Sequence, residues 1–103
     1  MAIVVGELHV WVYILLCADG SYYVGSTKQD QPEARESQHN AGVVKGYTHS
    51  RRPVKLVYAE YYEKLLEGFA RERQIKRWSR AKKQALIAQD WEELARLARG
   101  RKR

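Results

Sequence analysis

Two apolar runs joined by a polar turn dominate the N-terminal part of the chain. The run at residues 10–17 reads VWVYILLC and is apolar throughout, as expected of a strand covered on both faces. The run at residues 22–25 reads YYVG and is aromatic or β-branched up to its glycine. Because Ala-Asp-Gly at residues 18–20 is a turn signal, the pattern predicts a β-hairpin with strands at residues 8–16 and 21–27.

The length of the turn decides where the two hairpin tyrosines point. A two-residue loop would place Tyr13 and Tyr23 on opposite faces of the sheet, because a shift of one residue reverses every side chain. A three-residue loop, with Gly20 in the left-handed conformation, pairs Tyr13 with Gly25 and puts both tyrosines on one face. We predict the three-residue loop, although on the hairpin alone the tyrosines are more typical of ordinary strand aromatics.

The remaining pattern predicts one further strand and four helices. A proline followed by an acidic residue at positions 32–33 indicates the start of a helix that Gly42 ends. Ser79 is predicted to cap a later helix, and Asp90 with Glu93 resembles a capping box. This order predicts an α+β fold, with a small three-stranded antiparallel sheet flanked by helices. The strand is predicted at residues 54–61 and the helices at about residues 32–40, 64–78, 80–88 and 91–98.

A chain of 103 residues with 45% hydrophobic residues is long enough for one folded domain. We assign residues 1–103 to it, with a core at about residues 8–98 and a frayed basic tail at residues 99–103. The one cysteine, Cys17, lies inside a strand run, so neither an intrachain disulfide nor a cysteine-based metal site is expected. No run approaches the ~18 apolar residues of a membrane span. Residues 1–5 lack the basic start of a secretion signal, so a cytoplasmic location is expected.

The chain carries 19 basic and 12 acidic residues, which gives a net charge of +7. That excess favours a polyanionic partner, nucleic acid rather than a membrane, over a solvated basic surface without a partner. Part of the basic charge falls in the first turns of a predicted helix, where the helix dipole disfavours cations, and this suggests a grip on phosphate. The predicted nucleic-acid-binding residues are Lys45, Arg51, Arg52, Arg71, Arg73, Lys76, Arg77, Arg80, Lys82 and Lys83.

Three further residues have chemistry that suits a phosphate site. Arg35 and His39 are four residues apart, so on a helix they share one face. Arginine donates to phosphate oxygens and histidine exchanges protons near neutral pH, although such a pair is more often a solvated helix surface. Glu72 falls on the sheet-facing stripe of its predicted helix, where its carboxylate needs a partner. That partner is either a cation, Lys76 or Arg73, or a metal ion.

The hairpin tyrosines also carry a family resemblance. The tripeptides VYI at residues 12–14 and YVG at residues 23–25 resemble the paired signature of GIY-YIG nucleases. The resemblance covers about residues 9–88, and in length and motifs the chain is similar to the small stand-alone bacterial members of that family. It implies structural roles for Gly20 and Gly25. The catalytic residues it implies are Tyr13, Tyr23, Arg35, His39 and Glu72.

This resemblance implies a metal-dependent endonuclease that acts on DNA, with structure rather than strong sequence preference; RNA is not distinguished from DNA. It implies that Tyr13 is the general base on the attacking water, helped by His39. In the same comparison Tyr23 binds the nucleophile or the phosphate, and Arg35 braces the phosphate. Glu72 is implied to hold one Mg²⁺ or Mn²⁺ ion, because a single carboxylate with waters and substrate phosphate suits these ions.

Two positions depart from the family pattern. Glu36 stands where the family usually has leucine, so its helix must be held on the sheet in another way. Many members place an asparagine near the phosphate, and here Gln89 could replace it, whereas Asp90 would repel phosphate. These departures favour an alternative, a catalytically weak or inactive nucleic-acid-binding module with the same fold. A third hypothesis is a small interaction protein whose basic face binds an acidic protein. No oligomeric state is predicted.

Overall fold

A three-stranded antiparallel sheet forms the centre of the protein, whose computed structural model describes residues 8–100. Strand β1 lies between β2 and β3, and helices cover both faces, so the predicted α+β fold is confirmed. A short 3₁₀ helix precedes β3. In chain order the elements are β1 (Val10–Leu16), β2 (Tyr22–Thr27), α1 (Pro32–Ala41), β3 (Lys55–Tyr62), α2 (Leu65–Lys76), α3 (Arg80–Ile87) and α4 (Trp91–Arg99).

The hairpin of β1 and β2 closes through the three-residue loop that the turn predicts. Gly20 has a φ of +87°, and its N–H donates to the Cys17 carbonyl at 2.9 Å. Tyr13 lies opposite Gly25, and Leu15 lies opposite Tyr23. Successive side chains of a strand alternate between the two faces, so Tyr23 and Gly25, two residues apart on β2, lie on the same face. Because Tyr13 lies opposite Gly25, both tyrosines share that face of the sheet.

The two faces of β1 pack against different helices. Val12 and Ile14 point towards α2 and α3, where they form an apolar core with Val24, Ile75 and Leu86. Tyr13 and the other odd-numbered residues of β1 point towards α1. Buried Cys17 continues this second face, consistent with its expected packing role.

A β-bulge interrupts the pairing of β1 with β3. Ile14 pairs with Tyr58 and Leu15 pairs with Leu56, which leaves Val57 as the extra residue. The backbone N–H of Leu56 donates to the carboxylate of Glu36 at 2.7 Å. Glu36, which stands where the family usually has leucine, therefore attaches α1 to β3 by a hydrogen bond instead of by apolar packing.

A second polar anchor fixes the other end of α1. The Asn40 side chain accepts the Val54 N–H at 2.7 Å and donates to the Val54 carbonyl at 2.9 Å. Gly42 ends the helix with a φ of +81°, as its sequence position predicts. Hydrogen bonds from side chains of α1 to the backbone thus attach the helix to β3 and to Val54, the residue just before it.

The element boundaries differ from the predicted ones by a few residues. The strand predicted at 54–61 lies at Lys55–Tyr62, and the helix predicted at 64–78 ends at Lys76. Ser79 caps α3 as predicted, because its hydroxyl accepts the Lys82 N–H at 3.2 Å.

Only half of the predicted capping box forms at α4. Asp90 accepts the Glu93 N–H at 3.1 Å, but the Glu93 carboxylate binds Arg96 instead of returning to the Asp90 backbone. Helix α4 ends at Arg99, one residue into the predicted basic tail. The rest of that tail from residue 101, and the prediction about residues 1–5, lie outside the described residues.

Within residues 8–100, no helix combines the length and the apolar character needed to cross a membrane.

Candidate active site

Tyr13 and His39 form the buried centre of the candidate site. Their side chains are 2% and 1% exposed, and Tyr13 Oη lies 3.1 Å from His39 Nε2. The phenol passes directly over Gly25, where an added Cβ atom would lie 2.6 Å from the hydroxyl oxygen. The absence of a side chain at Gly25 is therefore what allows the Tyr13 hydroxyl to reach His39.

The second nitrogen of the His39 ring has its own partner. His39 Nδ1 lies 2.7 Å from the hydroxyl oxygen of Thr48, which is 1% exposed. Sequence reasoning missed Thr48 because it lies in a polar loop with no pattern that marks it as buried. The result is an ordered row of three buried polar groups, Tyr13, His39 and Thr48.

Arg35 lies one helical turn before His39 on α1. Its Nη1 donates to the Gln38 side chain at 2.8 Å. Its Nε is buried, and no atom in residues 8–100 accepts a hydrogen bond from it. A buried donor without a partner is costly, so this nitrogen is available for an anion that the protein alone does not supply.

A stack of side chains continues the site towards solvent. The Tyr23 ring lies 5.4 Å from the His39 ring, and Tyr47 stacks on Tyr23 at 6.0 Å with an interplanar angle of 20°. The Arg51 guanidinium covers the Tyr47 ring at 3.8 Å and also pairs with Asp19 of the hairpin turn at 2.9 Å. Tyr47 is therefore held in place by protein groups, because both Tyr23 and Arg51 contact its ring.

Burial and charge keep the central pair neutral. Burial raises the pKa of Tyr13 to about 12; Arg35 opposes this rise through hydrogen bonding and charge, and the charges of Tyr23 and Glu72 add to it. Burial, and then the positive charge of Arg35, lowers the pKa of His39 below its usual value. Near neutral pH the site therefore holds a protonated phenol beside a neutral imidazole.

Glu72 approaches this region from the opposite face of the sheet. Its carboxylate accepts a hydrogen bond from Ser26 at 2.8 Å and pairs with Lys76 at 3.1 Å, and its side chain is 17% exposed. Ser26 directly follows Gly25, so the Glu72 carboxylate and the Tyr13 phenol approach the edge strand β2 from its two sides. The cation predicted as one possible partner of Glu72 is thus Lys76.

Among the predicted catalytic residues, Glu72 is the one with a carboxylate, the ligand that a hard divalent cation prefers. A single carboxylate suits an Mg²⁺ or Mn²⁺ ion that keeps several of its waters. Residues 8–100 contain no cluster of three histidine, cysteine, aspartate or glutamate side chains that could hold a metal ion. The donor set therefore fits an ion held jointly by Glu72, waters and a bound phosphate, and does not fit a closed protein cage.

The comparison with known proteins decides the family. A model of the GIY-YIG catalytic domain matches residues 9–85. The chain belongs to the GIY-YIG family. A UPF0213 protein of Staphylococcus aureus (strain Mu3) is 48% identical over 77 residues, which cover 75% of this chain and 92% of that protein.

Two solved structures agree with this GIY-YIG assignment. The solution NMR structure of a UPF0213 protein from Bacillus halodurans is 33% identical, covers 86% of this chain and 96% of that one, and has a TM-score of 0.52. The solution NMR structure of a protein from E. faecalis is 35% identical, covers 79% of this chain and 84% of that one, and has a TM-score of 0.53. The resemblance to small GIY-YIG proteins is thereby confirmed.

One of the predicted nucleic-acid-binding residues has a different role in this GIY-YIG domain. Arg71 donates to both carboxylate oxygens of Glu60 at 2.9 Å, and Tyr58 and Tyr62 donate to the same carboxylate. Although burial acts against it, these hydrogen bonds lower the pKa of Glu60. The Arg71 guanidinium therefore attaches α2 to β3, and its predicted role in nucleic-acid binding stays a prediction.

Two other predicted basic residues are also engaged by the protein. Arg51 is fixed by Asp19 and Tyr47, as described above. Arg52 donates to the carbonyls of His49 and Asn40 at 2.8 and 3.3 Å, and its guanidinium fills the space beside Gly42. Of the other predicted nucleic-acid-binding residues, Lys45, Arg73, Lys76, Arg77 and Arg80 are exposed, and Lys82 and Lys83 are half-buried.

A shallow groove of about 310 Å³ brings two of these lysines next to the site. Lys76 and Lys83 line it together with Tyr22, Tyr23 and Tyr47. Burial lowers the pKa of Lys83. The groove therefore combines positive charge with aromatic walls at the edge of the candidate site.

The position of the family asparagine is occupied differently here. Gln89 has a positive φ of 56° and joins α3 to α4, and the Asp90 carboxylate caps α4. Both residues belong to the chain turn between these helices, and within residues 8–100 no hydrogen bond joins Gln89 or Asp90 to Tyr13 or His39.

Proposed function

We propose that the chain is a divalent-metal-dependent nuclease that hydrolyses phosphodiester bonds in DNA. The observation that carries the proposal is the buried Nε of Arg35, which has no acceptor within residues 8–100 and lies beside the hydrogen-bonded Tyr13–His39 pair. An anionic phosphate oxygen accepts a hydrogen bond from such a donor, and the phenol beside it can accept a proton from an attacking water.

Tyr13 and His39 act together in this mechanism as a proton relay. Tyr13 Oη takes a proton from the attacking water while its own proton passes to His39 Nε2, 3.1 Å away. Because the phenol never becomes a free phenolate, a pKa of about 12 does not prevent the step at neutral pH. The imidazole, neutral beforehand because of its lowered pKa, is the acceptor.

Arg35 and Tyr23 stabilise the phosphate. The Arg35 guanidinium donates to the equatorial oxygens, whose negative charge grows in the pentacoordinate state. The Tyr23 hydroxyl donates to the nucleophile or the phosphate. The two residues lie on different elements, α1 and β2, and both border His39, so a phosphate bound by them lies next to the relay.

Glu72 is the residue that would hold one Mg²⁺ or Mn²⁺. When bound, such an ion would stabilise the negative charge that develops on the phosphate. Ser26 orients the Glu72 carboxylate, and Lys76 neutralises it before the ion binds.

The experiment incubates the full chain with supercoiled plasmid and with branched and linear duplexes, in Mg²⁺, Mn²⁺ or EDTA. We expect nicking only with metal, and faster cleavage of branched DNA than of linear duplexes of the same sequence. Glu72→Gln should abolish nicking, because the amide keeps the hydrogen bond to Ser26 but removes the charge. Glu67→Gln, an exposed acid on the same helix, is the matched control. Metal-dependent nicking by Glu72→Gln at the wild-type rate would exclude this mechanism.

A second candidate function is a nucleic-acid-binding module without catalysis. Two observations favour it: the Glu72 carboxylate is paired with Lys76, and neither Gln89 nor Asp90 replaces the family asparagine at the site. This alternative predicts DNA binding that weakens steeply with salt and no nicking in any metal. The same incubation, combined with a salt titration of binding, separates the two functions.

A further inference from the structure

The hydrogen bonds around His39 define which ring nitrogen carries the proton. A neutral imidazole has one N–H, so it can donate to Thr48 and accept from Tyr13, or the reverse. The two contacts, 2.7 Å at Nδ1 and 3.1 Å at Nε2, are compatible with either arrangement until their neighbours are considered.

The proposed relay decides between these arrangements. Within residues 8–100, His39 Nε2 is the one hydrogen-bond partner of the Tyr13 hydroxyl that can accept, so Nε2 must be unprotonated if it is to accept the Tyr13 proton. A proton on Nε2 would leave the Tyr13 O–H without an acceptor in this buried location. The consistent arrangement directs the Tyr13 O–H to His39 Nε2 and leaves the ring proton on Nδ1.

Thr48 then has a definite role. We propose that Thr48 is a positioning residue whose hydroxyl accepts the Nδ1–H of His39 and thereby keeps Nε2 unprotonated towards Tyr13. The inference deepens the proposed function, because only this tautomer can receive the proton of the relay. Thr48 touches neither substrate nor water in this role and acts entirely through His39.

The location of Thr48 suits a fixed partner. It directly precedes the 3₁₀ helix His49–Arg51, whose last residue donates its backbone N–H to the Thr48 carbonyl at 2.9 Å. The loop is further attached to the hairpin turn by the ion pair of Arg51 with Asp19. A hydroxyl on such an anchored backbone holds one ring orientation.

The test compares Thr48→Val, which keeps the shape but removes the hydroxyl, with Thr48→Ser, which restores it. Thr27→Val is the matched control, since Thr27 is also a buried threonine, with its hydroxyl on the Gln29 backbone. Ring ¹⁵N chemical shifts of the full chain, assigned with His39→Gln, report which nitrogen of His39 is protonated.

We expect the wild type, Thr48→Ser and Thr27→Val to hold the proton on Nδ1. In Thr48→Val the ratio of Nδ1-protonated to Nε2-protonated neutral His39 should fall by about fivefold, as expected for the loss of one hydrogen bond. The cleavage kcat should fall by about tenfold with little change in KM, and Thr48→Ser should recover most of it.

Two results would overturn the proposal. One is a wild-type His39 protonated on Nε2. The other is a folded Thr48→Val protein that keeps the wild-type tautomer ratio. If the wild type binds DNA without cutting it, the proposed nuclease function fails, but the ring shifts still decide the role of Thr48.

Discussion

The two faces of strand β1 bury different kinds of side chain. On the α2 side, Val12 and Ile14 pack among apolar groups that include Ile75 and Leu86. On the α1 side, Tyr13 meets His39, which is equally buried but held through hydrogen bonds. Apolar burial stabilises without regard to direction, whereas a buried polar contact depends on orientation. The comparison teaches that one strand can separate stability from chemistry.

The largest effect is expected when Arg35, on the α1 side of β1, is replaced. Arg35→Met should lower the cleavage kcat by roughly 10²–10³-fold, because the phosphate loses its fixed donor. The free energy of unfolding should stay the same or rise by up to ~1 kcal/mol, because a buried donor without a partner disappears. Urea unfolding and cleavage kinetics measure both quantities, with exposed Arg99→Met as the control. Destabilisation of more than ~2 kcal/mol would show that Arg35 has a structural role instead.

The opposite behaviour is expected on the apolar face. Ile75→Ala should lower the free energy of unfolding by ~2–5 kcal/mol, because it leaves a cavity beside Val12 and Ile14. Cleavage per folded molecule should be unchanged at temperatures where the variant is folded. Leu66→Ala is the control, since Leu66 is on the same helix but 82% exposed, and should cost less than ~0.5 kcal/mol. A large loss of activity in folded Ile75→Ala would mean that the two faces are coupled.

Alanine substitutions at two glycines would overpack the two faces of β1 one at a time. A Cβ at Gly25 would lie 2.6 Å from the Tyr13 hydroxyl, and a Cβ at Gly68 would clash with the Val10 side chain on the apolar face. Each alanine substitution should cost ~1–3 kcal/mol of stability by overpacking. Only Gly25→Ala should also reduce cleavage by more than the unfolded fraction explains, because it displaces the phenol. Equal activity losses in Gly25→Ala and Gly68→Ala would contradict the separation.

The smallest expected effect is a pH dependence of stability at His39. Its folded-state pKa lies below 6.5, so the unfolded chain binds more protons and stability falls as pH decreases below about 6.5. His39→Gln should show a shallower fall over the same range, because the substitution removes this titrating group. Urea unfolding from pH 8 to pH 5 measures the difference. Identical slopes would show that His39 does not contribute to acid destabilisation.

The hairpin and its tyrosine face were predictable because they depend on local rules. The position of Gly20 fixed the loop length, and the loop length fixed the register that brings Tyr13 and Tyr23 together. The start of α1 at Pro32 and the cap at Ser79 were readable for the same reason.

Side-chain contacts between different elements of the fold were not predictable. Thr48 meets His39 and Ser26 meets Glu72 only because the whole fold brings them together. The ion pair of Arg71 with Glu60 was not predictable either, because a positive charge in the sequence looks the same whether it faces solvent or a carboxylate. Such partners can be found only from the three-dimensional arrangement.

Glu36 has a consequence for exchanging segments between relatives. Its carboxylate serves the backbone N–H of Leu56 at the bulge, so helix residue and strand irregularity form one unit. A chimera that imports leucine at position 36 without the matching strand would leave that N–H buried and unpaired. Relatives with leucine there are therefore expected to carry a differently shaped third strand, and the two segments must be transplanted together.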